Sequence, residues 1–466
     1  MIYGLDAALT HTSAGLWGRS LIMHADKKIQ YFSASSLLFA ARAVGAAAMF
    51  GAQILLARTT SADTLALYFL ATSLVTVAGT VAALGYPYLV VAILGRYQDP
   101  RDAQRANAFI KISRSDALIT SAFLALVIAV VTFAYPYATW SERATFLVAL
   151  PAIPAIALLR TNDVIARVRS LLTTAYLPTI LWRPLFFLFL AMFAALVLHR
   201  VDAVVYVALF AAIAVVGAII QATKLPVGKT SSAKIDKRLS RTWRRAATGL
   251  IAVSVADLLF IDMDLLLAGT LLPRADLAVF AVCLKLAFFA KFGVDILQGL
   301  VGPEMARSYA RGDTAGLQRG IALSNLASVV STLAMVVAAA VFGRAALAVF
   351  GPDYISGQAA FITLVGVQVV NAFGGPHVAL LTLKGAQRRI NFAYAVAGTL
   401  LVVLNIALAP MYGILGAALA VLAAYVTLNL ILALDVWRLM GIRSDVWTIV
   451  QLGFVKRPGG LPRAAS

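Results

Sequence analysis

The chain has 466 residues, of which 62% are hydrophobic, and it carries a formal net charge of +19. Because soluble domains contain about 45–50% apolar residues, this composition excludes an ordinary soluble protein and indicates a membrane protein. The basic residues are dispersed over many short segments without a nucleic-acid-binding motif, so neither RNA nor DNA is expected as a partner. The single cysteine, Cys283, excludes an intrachain disulfide and a metal site of several thiolates.

Twelve apolar runs predict transmembrane helices, because each is close to or longer than the roughly 20 residues that cross a bilayer core. A helix satisfies its own backbone hydrogen bonds in lipid, whereas the strands of a barrel would alternate in polarity. The first run is longer than the core of a cleavable signal peptide, so no such peptide is predicted. In chain order, the predicted spans cover residues 34–57, 64–95, 112–137, 143–163, 171–198, 203–224, 247–271, 276–301, 319–343, 355–383, 391–409 and 412–437.

The distribution of lysine and arginine supports this arrangement of spans. With the first segment placed inside, the predicted inner segments hold 30 of the 39 basic residues and the outer loops hold five. Basic residues concentrate in cytoplasmic loops, and here the bias alternates with every predicted loop. We therefore expect an all-α polytopic membrane protein with twelve transmembrane helices and both termini in the cytoplasm.

The longest predicted inner segment divides the spans into two sets of six. A Gly/Pro element recurs near the end of the second span of each set, as Gly85-Tyr-Pro87 and Gly302-Pro303, which favours a duplicated transporter. The expected organisation is a cytoplasmic N-terminal segment (1–33), an N-lobe (34–224), a basic cytoplasmic linker (225–246), a C-lobe (247–437) and a cytoplasmic tail (438–466).

Four basic side chains lie near the centres of predicted spans, namely Arg42, Arg183, Lys285 and Lys291. A charge at the bilayer centre costs about 2.5–3.5 kcal/mol on insertion scales, and such residues usually face a cavity or a partner. The functional interpretation is a cationic chamber at one depth that binds phosphate or carboxylate groups of a substrate. The alternative is internal ion pairing, since Lys291 and Asp295 are four residues apart on one helical face.

Acidic side chains are concentrated in the predicted seventh and eighth spans. The seventh carries Asp257, Asp262 and Asp264, and the eighth carries Asp295. Three carboxylates in one span are not expected to be all charged and unpaired, so at least one should pair with a base or be protonated. These acids are candidates for coupling transport to a proton or sodium gradient. The alternative is that they pair with the lysines of the eighth span and lock the two helices together.

No cofactor and no metal site are predicted. The four histidines are scattered, and Gly228-Lys-Thr230 lacks the earlier glycine of a phosphate-binding loop. Glycine and proline interrupt several spans, as at Gly374-Gly-Pro376, which is followed by His377. Such breaks indicate either ordinary kinks or hinges for alternating access.

Four segments of the C-terminal half resemble elements of the polysaccharide-export (O-antigen or exopolysaccharide) flippases. Their superfamily also holds the multidrug-and-toxin extruders and the lipid II flippase. The likeness covers most of the C-terminal half, and the N-terminal half mainly by topology. The segments are Pro410-Met-Tyr-Gly-Ile-Leu-Gly-Ala-Ala418, similar to P-x-Y-G-I-x-G-A-A; Phe350-Gly-Pro-Asp-Tyr354, similar to F-G-x-x-Y; Asp262–Gly269 with Ala278–Val282, similar to the connection between spans seven and eight; and Met305–Asp313, similar to the next inner loop.

The resemblance implies two six-helix lobes around a central cavity that opens alternately to the two sides of a bacterial inner membrane. It implies a transporter that flips undecaprenyl-diphosphate-linked oligosaccharide to the outer leaflet for polysaccharide biosynthesis or export. The anionic diphosphate fits the four central cations. Membrane lipid and proteins of polysaccharide biosynthesis, such as a polymerase, are the other partners that the resemblance implies.

Three other classes compete with a flippase. An ion-coupled multidrug or small-molecule antiporter of the same superfamily usually carries cations, so its cavity should favour acids, whereas the predicted N-lobe has Arg42 and Arg183. A major facilitator is disfavoured because Gly95-Arg-Tyr-Gln-Asp-Pro-Arg101 lacks the Gly-x-x-x-Asp-Arg-x-Gly-Arg motif. A membrane enzyme such as a polymerase or ligase would need a large outer loop, and the predicted outer loops are short, so no enzymatic activity is expected.

Overall fold

The computed structural model is built from helices throughout the part of the chain that it describes. The predicted N-terminal segment and the candidate residues Asp257, Lys291 and Asp295 lie outside that part. The described residues are 40–448 without 98–101, 137–138, 199–200, 226–236, 252–253, 255–257, 288–304, 306, 310 and 443.

Within its described residues, the N-terminal half of the chain forms nine α-helices and one π-helical turn. The π-helical turn, Leu177–Trp182, joins α7 to α8 and contains Pro178. The helices are α1 (Ala40–Thr59), α2 (Ala62–Ala82), α3 (Tyr86–Arg96), α4 (Ala103–Ala134), α5 (Trp140–Ala149), α6 (Ala152–Val168), α7 (Leu172–Tyr176), α8 (Arg183–Leu198) and α9 (Ala203–Lys224).

The C-terminal half begins with a linker helix and contains a second π-helical turn at Leu259–Met263. A 3-10 turn at Pro352–Gly357 precedes α14. The helices are α10 (Lys237–Gly249), α11 (Asp264–Leu271), α12 (274–287), α13 (Thr314–Ala348), α14 (Gln358–Gly374), α15 (His377–Leu383) and α16 (Gln387–Met440).

Nine helices of the described chain are long and apolar enough to cross a membrane, against twelve predicted spans. Predicted spans eleven and twelve are continuous as α16, interrupted only at Gly413, where φ is 56°. Predicted spans seven and eight include residues outside the described part, so only α11 and α12 represent them. The all-α polytopic fold class is confirmed, and the count of twelve and the side of the termini stay predictions.

Burial separates the central helices from those that face lipid. In the most apolar stretch of α2, 72% of the residues are buried, against 17% for α4. Small residues bring α2 close to its neighbours: a Cβ on Gly79 would lie 2.8 Å from Cβ of Ile156 on α6. Without a hydrophobic force between helices in lipid, such close backbone packing stabilises their association. The polar side chains of α2 are therefore held inside the bundle.

The predicted second span, 64–95, is broken where α2 ends and α3 begins. Leu84 has a φ of 53° and Gly85 follows it. The amide of Gly85 donates to the carbonyl of Ala247 on α10, at 3.0 Å, and Ser254 Oγ donates to the carbonyl of Leu84, also at 3.0 Å. The start of the C-terminal half therefore packs against the break between α2 and α3.

The linker helix α10 packs on this break, and the last part of the predicted basic linker is helical from Lys237 onward. Trp243 is buried and packs edge-on against Phe109 of α4, with ring centroids 5.3 Å apart. The Arg244 guanidinium bonds to both carboxylate oxygens of Asp116, which also accepts a 2.6 Å bond from Tyr86 Oη. We call the end of the molecule that carries α10 the linker side, and the other end the far side.

A tight backbone approach at Gly85 generates the first prediction. A Cβ at this position would overlap Cβ of Leu250 and the carbonyl oxygen of Ala247. We expect Gly85→Ala to lower the free energy of unfolding by about 1–3 kcal/mol, because overpacking forces α10 away from the break between α2 and α3. Gly95→Ala is the matched control, since a Cβ on Gly95 meets nothing within 4 Å. Thermal unfolding in detergent measures both, and equal melting temperatures would contradict the prediction.

Candidate functional site

Asp262 is the carboxylate at which the two halves of the chain meet. It lies in the π-helical turn before α11 and is buried, with 8% of its surface exposed. Ser73 Oγ of α2 donates to its Oδ1 at 2.8 Å, and Lys285 Nζ of α12 lies 3.5 Å from the same oxygen. The contact between Asp262 and Lys285 matches the alternative in which the acids pair with lysines of the predicted eighth span. The contact with Ser73 adds a partner from the N-terminal half of the chain.

Arg183 begins α8 immediately after the first π-helical turn. Its Cζ lies 4.4 Å from the centre of the Phe210 ring on α9, within the range of a cation–π interaction. Asp163 and Asp262 act on its charge at longer range. No carboxylate of the described chain lies within ion-pair distance of this guanidinium, so its charge remains available to a ligand.

Arg42 and Arg167 both contact the ring of Tyr176. The Cζ of Arg42 on α1 lies 5.5 Å from the ring centre, and that of Arg167 on α6 lies 6.0 Å from it. Arg167 is one residue before the linker-side end of α6, whereas Arg183 lies against Phe210 in the first half of α9. Arg42 and Arg183 therefore contact different rings, and their position at one depth stays a prediction.

Arg183 lines a cavity of about 340 Å³, and Arg167 lines a separate cavity of about 840 Å³. One face of α6 supplies Arg160, Asp163 and Arg167 to its wall, and Ser254 belongs to the C-terminal half. Arg160 Nη1 donates to Thr80 Oγ1 at 2.9 Å, and Asp163 accepts a bond from Gln221 Nε2. Among the described residues, the cavity wall therefore has more cationic than anionic groups, and both halves of the chain contribute polar side chains to it.

Sequence reasoning missed Arg160 and Arg167 as site residues. The loop count places them in an inner segment, whereas the structure places both inside α6 and in the cavity wall. The signal was the spacing of three charged residues. Asp163 and Arg167 follow Arg160 by three and seven residues, so all three share one helical face. A predicted span that stops at residue 163 hides that face, because the charged residues lower the local hydropathy.

Asp264 forms a second acidic site inside the C-terminal half. It is fully buried at the start of α11, and its Oδ1 accepts a 2.9 Å bond from Asn405 Nδ2 of α16. Asp264 Oδ2 and Asn405 Oδ1 are both buried without a hydrogen-bond partner. Unpaired buried oxygens are costly, so this carboxylate–amide pair can accept a proton or a cation.

The structure places five of the eight predicted site residues in three groups. Arg42 and Arg183 lie in the N-terminal half with the cavity arginines. Lys285 and Asp262 pair with each other, and Asp264 lies apart with Asn405. Lys291, Asp257 and Asp295 lie outside the described residues. In the part of the chain that is described, no group of three His, Cys, Asp or Glu side chains is arranged to hold a metal ion.

The fold defines the chain as a polytopic all-α protein built like the transporters of one superfamily. A multidrug resistance MATE family transporter of the MOP superfamily, in its inward-facing conformation, has a TM-score of 0.66 at 13% identity, covering 91% of this chain and 100% of that one. The lipid II flippase MurJ, inward closed, has a TM-score of 0.68 at 12% identity, covering 91% and 95%.

A third neighbour comes from Pyrococcus furiosus, a MOP-superfamily transporter described as having a binding pocket of reversed polarity that suggests a different function. Its TM-score is 0.58 at 13% identity, covering 91% of this chain and 95% of that one. The sequence matches no protein-family model and no curated protein. At these identities the likeness establishes the fold alone.

The Asp262–Lys285 pair generates the second prediction. Removing one member of a buried pair leaves an uncompensated charge, which is strongly destabilising, whereas removing both is close to neutral. We expect Lys285→Ala to lower the melting temperature clearly, and Asp262→Asn combined with Lys285→Met to restore most of it. Lys384→Ala, at an exposed lysine near the end of α15, is the control. A double variant as unstable as Lys285→Ala would contradict the pairing.

Proposed function

We propose that the chain flips undecaprenyl-diphosphate-linked oligosaccharide across the bacterial inner membrane by alternating access. The observation that carries this proposal is the charge of the N-terminal half. Arg42, Arg160, Arg167 and Arg183 have no carboxylate within ion-pair distance among the described residues. Arginine binds phosphate oxygens through a planar fork of donors, so an anionic diphosphate suits this set.

The arrangement of open and closed ends supports a state ready to load from the cytoplasm. On the far side, the Arg58 guanidinium donates to the carbonyls of Ala348 and Val349, at 2.8 and 2.7 Å, and Arg274 pairs with Glu142. Both contacts join the two halves. The 840 Å³ cavity lies toward the linker side, which the loop charges predict to be cytoplasmic. Breaking these contacts would let the two halves separate on the far side.

Ion coupling is the second part of the proposal, and Asp264 is its strongest candidate. Asp262 already has Ser73 and Lys285 as partners, whereas Asp264 has one amide partner and one unpaired oxygen. Buried acids of this kind mark ion pathways in membrane proteins. A proton or sodium ion at Asp264 would change how α11 packs against α16, and so would couple the ion gradient to the conformational cycle.

The arginines generate the third prediction. We expect Arg42→Ala and Arg183→Ala each to slow flipping of a fluorescent undecaprenyl-diphosphate-linked sugar in proteoliposomes by about tenfold or more, because each removes a charge-assisted bond to phosphate. The lysine variants should retain more activity, since they keep the charge without the planar fork.

Arg344→Ala is the matched control, because Arg344 is exposed in α13 and should leave the rate unchanged. All variants are compared at equal protein content. Full activity of both alanine variants would overturn the diphosphate assignment. Transport of a cationic dye in place of the lipid would favour the alternative of a multidrug antiporter.

Asp264 generates the fourth prediction. Asp264→Asn keeps the shape and the Asn405 contact but removes the group that binds a proton or cation, so flipping should no longer respond to an imposed pH or sodium gradient. Asp353→Asn, at an exposed acid of the 3-10 turn, is the control and should respond like the unmodified chain. Wild-type transport that ignores both gradients would rule out ion coupling.

A further inference from the structure

We propose that a neutral polar pocket at the break between α14 and α15 binds a sugar ring of the substrate. This inference rests on the proposed function and adds a second subsite to it, in the half of the chain that lacks the cavity arginines. The pocket has a volume of about 220 Å³, and its walls include Asn371, His377 and Asn429, with the rings of Tyr394 and Tyr425.

The break that makes the pocket is built into the backbone. Helix α14 ends at Gly374, and Gly375 has a φ of 87°, which only glycine adopts readily. The tail segment after α16 stabilises the break: Val446 N donates to the carbonyl of Phe373 at 3.1 Å, and Ser444 Oγ lies 2.9 Å from His377 Nδ1. Interrupted helices inside a membrane protein persist where they line a cavity, and transporters bind solutes at such breaks.

His377 has one ring nitrogen without a hydrogen-bond partner among the described residues. The side chain is 2% exposed, Nδ1 contacts Ser444, and Nε2 has no hydrogen-bond partner. A Cβ on Gly374 would overlap Asn429 Oδ1 and lie 2.9 Å from His377 Nε2. Two polar atoms of different helices therefore converge on Gly374, where any larger side chain would displace them.

The charge and size of the pocket select its ligand. Among the described residues, no Asp, Glu, Lys or Arg lines it, so these residues offer nothing to neutralise a diphosphate or a cation. Amide and imidazole groups both donate and accept hydrogen bonds, as hydroxyl groups require. The volume is below the roughly 300–1,000 Å³ of sites for drug-sized ligands. One hydroxylated ring between aromatic walls fits these properties.

Together, the two halves then bind chemically different parts of one ligand. The arginines of the N-terminal half bind the charged diphosphate, and the pocket of the C-terminal half binds an uncharged sugar. A lipid diphosphate without a sugar would use the first site alone. The pocket therefore contributes selectivity for the glycosylated lipid over the bare one.

The experiment compares binding of two kinds of probe to the purified full chain in detergent. The probes are undecaprenyl diphosphate and the same lipid carrying one glucose, galactose or N-acetylglucosamine, with affinities measured by native mass spectrometry. Gly374→Ala places a methyl group against Asn429 Oδ1 and His377 Nε2, two atoms of residues that line the pocket. Gly366→Ala is the matched control in the same helix, where a Cβ meets nothing within 4 Å. Asn371→Ala is a second variant that removes a polar group without adding bulk.

We expect the unmodified chain to bind at least one glycosylated lipid more tightly than the bare diphosphate. Gly374→Ala and Asn371→Ala should weaken binding of that lipid by about 5- to 30-fold, from the loss of one or two hydrogen bonds, and leave the bare lipid unchanged. Gly366→Ala should change neither. A melting temperature close to that of the unmodified chain shows that a variant is folded.

Two results would overturn the sugar subsite. In the first, both pocket variants lower the affinity of bare and glycosylated lipids equally, or lower neither. In the second, the unmodified chain binds all the probes with one affinity. A chain that binds neither kind of lipid would instead contradict the proposed function, so the two failures are distinguishable.

Discussion

The cost of holding charge inside a bilayer governs the interior of this molecule. An unpaired charge at the membrane centre costs several kcal/mol, and the chain meets that cost in two ways. Asp262 is stabilised by Ser73 from one half and Lys285 from the other, so the central carboxylate also joins the halves. Arg42, Arg167 and Arg183 instead lie against aromatic rings. Ring faces lower the cost of a cation without neutralising it, which leaves these arginines able to bind an anion.

The two halves of the chain differ in the chemistry of their interiors. The N-terminal half has the arginines of α6 around its cavity, with Asp163 bonded to Gln221. The C-terminal half has the buried Asp264–Asn405 pair and the uncharged pocket at the break between α14 and α15. In the proposed mechanism, charge binds the lipid diphosphate in one half, while the other half senses an ion and a sugar. The contacts of Arg58 and Arg274 hold the far side closed meanwhile.

Hydropathy predicted the helices well where a span is uniformly apolar, as in α8 and α9, and less well where charge or glycine interrupts it. The span predicted at 143–163 stopped before Arg167, because basic residues lower hydropathy even when they line a cavity within a helix. The predicted linker contained α10, whose helix depends on the burial of Trp243 and on the contact of Arg244 with Asp116, far apart in the chain. The local sequence pattern indicates neither what buries Trp243 nor that Asp116 contacts Arg244.

Composition, apolar runs and loop charges were sufficient to establish an all-α polytopic membrane protein and to single out Arg42, Arg183, Lys285 and the acids near residue 260. These properties are local, since each depends on the cost of placing one segment in lipid. Only the folded chain decided which charges are paired. Asp262 of the π-helical turn and Lys285 of α12 meet although they are 23 positions apart in the chain, and Arg160 and Arg167 reach the cavity because one face of α6 points there. Pairing depends on distances between helices, which the order of residues along the chain does not specify.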